Sequence, residues 1–372
     1  MADYDVAVIG LGAMGAAALY HLARSGARVV GLEQAHPGHD GGSSHGESRI
    51  IRLAHYENPA YTPLVRRAWA AWDELGREAG EGVVVPTGIL EAGPPGAAIV
   101  EGSLRAARDH GLPHEQLTPA QANARFPAFD LPGGWSVLYQ PDADIVRADL
   151  AIRLLVAGAR AAGADIRLET AVASVEPGAL RLTGGEALRV RSIVVTAGPW
   201  IADLVPSLAG RLSLTRQPLA WFTPARPAET TVGRMPVFLI EDEADAVYGF
   251  PDFTGGGVKA ASHVHGQRLQ RAAEARQDAG PEDAAPVSRA LQRFVPGAAG
   301  PLRAQKTCIY TSTPDEEFVI DFADAEHRIA YASACSGHGF KFASLFGQFL
   351  AAMALTGEAP PEIAAFPAAR FA

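Results

Sequence analysis

After Asp5, Val6-Ala7-Val8-Ile9 is a short, β-branched apolar run, the pattern of a parallel strand buried on both faces. A glycine-rich turn follows. Residues 16–23 then carry Ala and Leu at helical spacing up to Gly26, which predicts a helix with a glycine stop. Val29-Val30-Gly31-Leu32 is a second buried run, and it ends on Glu33. Together these make a complete βαβ unit in roughly thirty residues.

Beyond Glu33 the pattern changes repeatedly. Residues 36–52, rich in Gly, Ser, His and Arg, read as a long loop. Thr62-Pro63 reads as an N-cap and first helical position, opening a helix through Trp69, Trp72 and Leu75 to Gly80. Residues 83–85, 88–90 and 135–139 read as strands of another sheet, and 149–162 as an Ala/Leu-rich helix. Residues 193–198 return to the buried-strand pattern. From 221 to 263 strand-like runs alternate with turns, which predicts an antiparallel sheet. Segments 93–96, 224–231 and 278–286 read as loops, 318–321 and 329–332 as late strands, and 344–355 as a closing helix.

This order predicts a doubly wound α/β core interrupted by α+β insertions. Residues 1–80, 145–210 and 300–372 group as a nucleotide-binding domain, and 81–144 with 211–299 as a second, substrate-binding lobe. Apolar residues at 48% and charged residues at 20% suit a soluble globular enzyme. A net charge of −9 gives no general attraction for nucleic acid or an anionic membrane. The N-terminus lacks a basic region, no apolar run reads as membrane-spanning, and two cysteines make no disulfide framework. The expectation is a cytoplasmic protein with no nucleic-acid or membrane partner.

The turn Gly10-Leu11-Gly12-Ala13-Met14-Gly15 carries the first chemistry. Gly10 permits the strand-to-helix turn, Gly12 lets backbone N–H groups approach a pyrophosphate, and Gly15 lets helix and strand pack closely. The helix N-terminus adds a partial positive charge. Glu33, 18 residues after Gly15, is placed to bind ribose hydroxyls and to repel a 2′-phosphate. This predicts an adenine dinucleotide without choosing between NAD and FAD. The strand ending in Thr196-Ala197-Gly198-Pro199-Trp200 tilts the choice toward a flavin nucleotide.

Four further segments carry a resemblance: residues 42–52 (GSSHGESRIIR), 248–251 (YGFP), 306–311 (KTCIYT) and 336–342 (SGHGFKF). In order and spacing the chain resembles, essentially end to end, the monomeric sarcosine oxidase and N-methyltryptophan oxidase family. The resemblance implies a p-hydroxybenzoate-hydroxylase-like fold, with a Rossmann-type FAD-binding domain and an antiparallel-sheet substrate domain. It implies a monomer that oxidises a secondary amino acid, N-methyl or cyclic, to an imine. Hydrolysis of the imine releases an aldehyde or oxo product, and O2 is reduced to H2O2.

By the same resemblance, Cys308 is the covalent attachment point of the flavin, whereas an isolated buried cysteine is ordinarily a small core residue. Cofactor contacts are implied at Ala13, Met14, Ser43, Arg49, Val172, Ala197, Gly198, Trp200, Gly337, Gly339, Phe340 and Lys341. Arg52 and Lys341, a guanidinium fork and an ammonium, are implied to hold the substrate carboxylate, with Tyr310 closing that end. The bland readings are a surface ion pair for Arg52 and a solvated lysine for Lys341. Lys259, on an apolar strand where an unpaired lysine is costly, is implied to lie near flavin N5 and to favour electron transfer to O2, with Arg49 on the other face. Tyr248 and His263 are implied to line the amine side of the pocket; each could instead be a satisfied core residue.

The chain departs from the family pattern at His55-Tyr56, where a tyrosine commonly stands three residues after Arg52, at Ser262, in place of an aromatic before His263, and at Asp144, where glycine is frequent. These departures bear on the substrate more than on the reaction. A flavin dehydrogenase using an acceptor other than O2, an oxidase of primary amino acids, an NAD-dependent dehydrogenase and a non-catalytic nucleotide-binding module remain the alternatives.

Overall fold

A computed structural model describes residues 2–242, 246–263, 266–276 and 279–371. Its first layer is built on Tyr4–Ile9, which pairs in parallel with Val29–Leu32 on one side and Ala187–Val195 on the other. Asp165–Arg167 and Ile329–Ser333 extend this parallel core outward. Val172–Glu176 and Ala179–Leu182 continue it as antiparallel strands, and Val319–Phe322 pairs antiparallel with Ile329–Ser333. Val29–Leu32 is buried along its length, as are residues 6–9 and 192–195, as their apolar runs require, whereas residues 187–191 alternate and expose Arg189 and Arg191.

Ala13–Arg24 packs between the helices Ala148–Ala161 and Ala343–Thr356. Gly347 allows the close approach, because a Cβ there would lie 2.4 Å from the Ala17 methyl. The helical run Gly339–Thr356 is long and apolar enough to cross a membrane, contrary to the expectation that no such run exists. It is mostly buried, as a core helix of this layer.

The second layer is a nine-stranded sheet among the described residues. It runs from Gln267–Leu269 through Ser213–Phe222, Val258–Ser262, Ala246–Phe250, Val237–Glu241, Ile89–Gly93 and Ser136–Gln140 to Glu115–Leu117. Its pairings are antiparallel except for Val237–Glu241 beside Ile89–Gly93, which are parallel. Leu302–Ser312 joins it along Ser213–Phe222, with Cys308 opposite Gln217 and Tyr310 opposite Thr215. Sheet membership therefore puts residues 302–312 with the second lobe, not with the 300–372 segment of the nucleotide-binding grouping.

Two further differences come from tertiary burial. The expected loop 36–52 ends in the strand Ser48–Arg52, which pairs with Ala143–Arg147 in a three-stranded sheet completed by Val84–Pro86. Arg52 at the end of this strand is buried, as the apolar residues flanking it suggest. The expected loop 278–286 gives way to the helix Pro281–Phe294, which contains Pro286. Its inward face buries Ala284, Val287, Leu291 and Phe294, which offsets the N–H that Pro286 cannot donate.

Candidate active site

One elongated cavity of about 370 Å3 runs from Gly10 and Glu33 at one end to Tyr248, His263 and Lys341 at the other. At the nucleotide end Gly10 has φ +84°, and a Cβ there would meet the Thr196 carbonyl oxygen at 2.6 Å. Gly12, Ala13 and Met14 line the cavity. Gly15 does not; a Cβ on it would stand 1.8 Å from the Gly10 carbonyl oxygen, so its role is helix-to-turn packing. The Glu33 carboxylate accepts the Leu11 N–H at 2.8 Å and the Ala35 N–H at 3.0 Å, which fixes it at the end of its strand. Val172, Ala197, Gly198 and Trp200 line the same cavity. A bare-backbone turn, an oriented carboxylate and an elongated cavity fit an extended dinucleotide.

Farther along, Cys308 lies on the cavity wall with its sulfur 3.6 Å from the Ser43 carbonyl oxygen. Burial pushes its thiol pKa up, opposed by the charge of Arg49. Arg49 donates to the Ser48 and Ser43 carbonyl oxygens at 2.8 and 2.7 Å, and its guanidinium lies over the Phe340 ring. Ser43 Oγ donates to the Ile309 carbonyl oxygen at 2.6 Å, tying the 42–52 segment to the Cys308 strand. Gly337 has φ +74°, and a Cβ there would reach the Tyr310 ring at 2.8 Å, so the turn can lie against this ring only as glycine. Gly339, Phe340 and Lys341 complete this wall.

The far end gathers buried charges. Arg52 and Lys341 are 3% and 4% exposed. Arg52 donates to both carboxylate oxygens of Glu57, at 2.9 and 2.7 Å, and its Nε lies 3.7 Å from Glu91. Lys341 Nζ donates to the His338 carbonyl oxygen at 2.6 Å. Burial lowers the Lys341 ammonium to about 7, with Glu57 opposing and Arg52 adding to the shift. For Glu57, burial would raise the carboxyl, but Arg52 and His55 outweigh it and hold it well below the usual carboxylate range. Burial pushes Glu91 up to about 7 despite Arg52 and the hydrogen bonds from Ser103 and Gln140. Tyr248 and Tyr310 are hydrogen-bonded to each other, and burial raises both phenols.

Lys259, like Gly15, stands apart from the other anticipated site residues. It does not line the cavity; its Nζ donates to the Gly46 carbonyl oxygen at 2.7 Å, the Ser48 carbonyl oxygen at 3.0 Å and Ser48 Oγ at 3.2 Å. It sits behind the segment that carries Arg49, and burial holds its ammonium well below the ordinary lysine range. Glu57 and Glu91 were absent from the anticipated site. Glu57 follows Arg52 by five residues in a loop and Glu91 lies on an apolar strand, so neither had a spacing signal.

The profile of the family described as FAD dependent oxidoreductase (DAO) matches residues 5–353. The chain is 34% identical over 375 aligned positions to the N-methyl-L-tryptophan oxidases of Yersinia pestis (strain Pestoides F) and Yersinia pseudotuberculosis (strain IP 31758), covering 99% of this chain and all of each relative. Among solved structures it resembles NikD, an unusual amino acid oxidase essential for nikkomycin biosynthesis. That match has a TM-score of 0.87 at 22% identity over 98% of this chain and 97% of NikD. It also resembles glycine oxidase from Geobacillus kaustophilus, with a TM-score of 0.82 at 19% identity over 99% and 98%. With the nucleotide cradle and the family profile spanning the same cavity, the chain belongs to the FAD-dependent oxidoreductase family.

Proposed function

We propose that this chain oxidises a secondary amino acid, N-methylated or cyclic, to the imine, and that O2 is the electron acceptor and H2O2 a product. The observation that carries the reading is one cavity that begins at the Gly10 turn and ends at a buried cation pair beside two tyrosines and a histidine. When bound, FAD supplies the two-electron acceptor for the C–H bond next to the substrate nitrogen. Glu33 and the Gly10–Gly12 turn would hold its nucleotide half, and Cys308 its ring as a thioether.

Arg52 and Lys341 bind the substrate carboxylate. Glu57 accepts two hydrogen bonds from the Arg52 guanidinium, so a substrate carboxylate competes with it. Tyr248 and His263 frame the amine end, and Tyr310, hydrogen-bonded to Tyr248, closes the carboxylate end. Two cations and a largely apolar wall disfavour an ammonium, so substrate is held as the free amine, the form that can give up its α-hydrogen. The relatives named N-methyl-L-tryptophan oxidase support an N-methyl amino acid as substrate. Two free cysteines suit a reducing cytoplasm, and the resemblance to a monomeric family supports a monomer.

A second reading is a dehydrogenase that passes electrons to an acceptor other than O2. The position of Lys259 favours it, because the cation implied to promote electron transfer to O2 is hydrogen-bonded behind the cavity wall and does not line the cavity. A peroxide-coupled screen of sarcosine, N-methyl-L-tryptophan, L-proline, pipecolate and glycine tests both. Peroxide formed in step with substrate supports the oxidase; flavin bleaching that persists in air supports the dehydrogenase; no bleaching with any of them rejects amino-acid oxidation. Acid precipitation tests the tether: the pellet is yellow for the unaltered chain and colourless for Cys308→Ala, and a colourless pellet in both rejects it.

A further inference from the structure

Tyr56 lies between the two ends of the amino-acid site without lining the cavity. Its hydroxyl is hydrogen-bonded to His263 Nε2, and the two rings meet edge to face with centroids 6.1 Å apart. The Arg52 guanidinium lies over the ring of the same residue, 5.0 Å from its centroid. Its own position is fixed from below by Gly102 on the helix Ala98–Asp109, where a Cβ would stand 2.8 Å from Tyr56 Cβ. Burial raises the phenol, with Glu57 and Glu91 adding to the shift and Arg52 opposing, so the hydroxyl stays protonated. Tyr248 meets His263 edge to face at 6.0 Å, so His263 is bracketed by two phenols, one in the cavity wall and one behind it.

We propose that Tyr56 is a positioning residue that sets both ends of the site, its hydroxyl orienting His263 at the amine end and its ring seating Arg52 at the carboxylate end. This rests on the amino-acid reading of the site above. The two contacts use different parts of one side chain, so substitutions separate them. Tyr56→Phe removes the hydroxyl and keeps the ring. Tyr56→Leu removes both.

The test uses flavin-loaded protein and two probes. Benzoate, a carboxylate with no amine, is titrated by the change in flavin absorbance. The N-methyl amino acid turned over fastest by the unaltered enzyme is followed by peroxide release. For Tyr56→Phe, kcat/KM for the amino acid falls about fivefold to tenfold, the usual effect of one lost hydrogen bond, while the benzoate Kd stays within about twofold. For Tyr56→Leu the benzoate Kd also rises, by about twofold to thirtyfold, as loss of the ring face beneath a buried arginine requires. In addition, His263→Asn made on the Tyr56→Phe background costs less than on the unaltered one, because the two residues act through one contact. Tyr56→Phe weakening benzoate as much as the amino acid overturns the proposal, as does a variant indistinguishable from the unaltered enzyme in both. If the unaltered enzyme oxidises no N-methyl or cyclic amino acid, the reading of the site itself fails, and the role of Tyr56 falls with it.

Discussion

Replacing Lys341 by methionine separates the cost of burying a charge from the use of that charge. Lys341 is 4% exposed, and its burial lowers the ammonium from 10.5 to about 7. The folded pKa lies below the unfolded one, so between them the unfolded chain holds a proton that the folded chain has released. Stability of the unaltered protein therefore rises with pH across this window, and the penalty is fully present below pH 7. At about 1.4 kcal/mol per unit, the penalty is about 5 kcal/mol at pH 6 and about 2 kcal/mol at pH 9. Lys341→Met removes it. It also removes the 2.6 Å hydrogen bond to the His338 carbonyl oxygen and changes the packing, but neither loss depends on pH.

The assay is urea unfolding of both proteins, flavin loaded, at pH 6 and pH 9. The stability of the variant relative to the unaltered protein should be more favourable at pH 6 than at pH 9 by about 3 kcal/mol, whatever the sign of the pH-independent part. Equal differences at the two pH values would show that Lys341 keeps an ordinary ammonium, and the account of the buried cation pair would then be wrong. Below pH 7 the variant should also bind benzoate at least about tenfold more weakly, because a charged hydrogen-bond partner is lost. Stability gained together with affinity lost is the expected signature of a side chain kept for binding.

Other substitutions test other parts of the site. Gly15→Ala puts a Cβ 1.8 Å from the Gly10 carbonyl oxygen, so the helix must move off the turn; the purified protein should hold far less flavin, read as its 450-to-280 nm absorbance ratio. Glu57→Gln frees Arg52 from its internal carboxylate, and the benzoate Kd should fall by about tenfold; an unchanged Kd would mean that Glu57 does not compete for the site. Gly337→Ala forces a side chain onto φ +74° and into the Tyr310 ring, and should cost about 1–3 kcal/mol in urea unfolding, with a higher KM from the displaced tyrosine.

The parts of this architecture that could be read in advance are those whose physics is local. The Gly10 turn, Ala13–Arg24 and Val29–Leu32 declare themselves because the steric demands on the glycines and the periodicity of the apolar residues lie within one short segment. Leu302–Ser312 does not, since its partner strand lies about ninety residues earlier and its first residues are exposed. Pro286 misled for the complementary reason: a local helix breaker was overruled by the burial of Leu291 and Phe294 against the sheet. In the site, the resemblance of their segments led to Arg52 and Lys341, which both line the cavity, but not to the charges that balance them. Glu57 and Glu91 become partners of Arg52 only when the loop and the strand Ile89–Gly93 fold against Ser48–Arg52, and no spacing between residues 52, 57, 91 and 341 encodes that meeting. Lys259 is the sharpest case. Its sequence context identified a lysine that must be paired, but strand alternation cannot say what meets it. The answer lies in the 46–48 turn, whose carbonyl oxygens take all three of its bonds with Ser48 Oγ and leave Arg49, not Lys259, on the cavity wall.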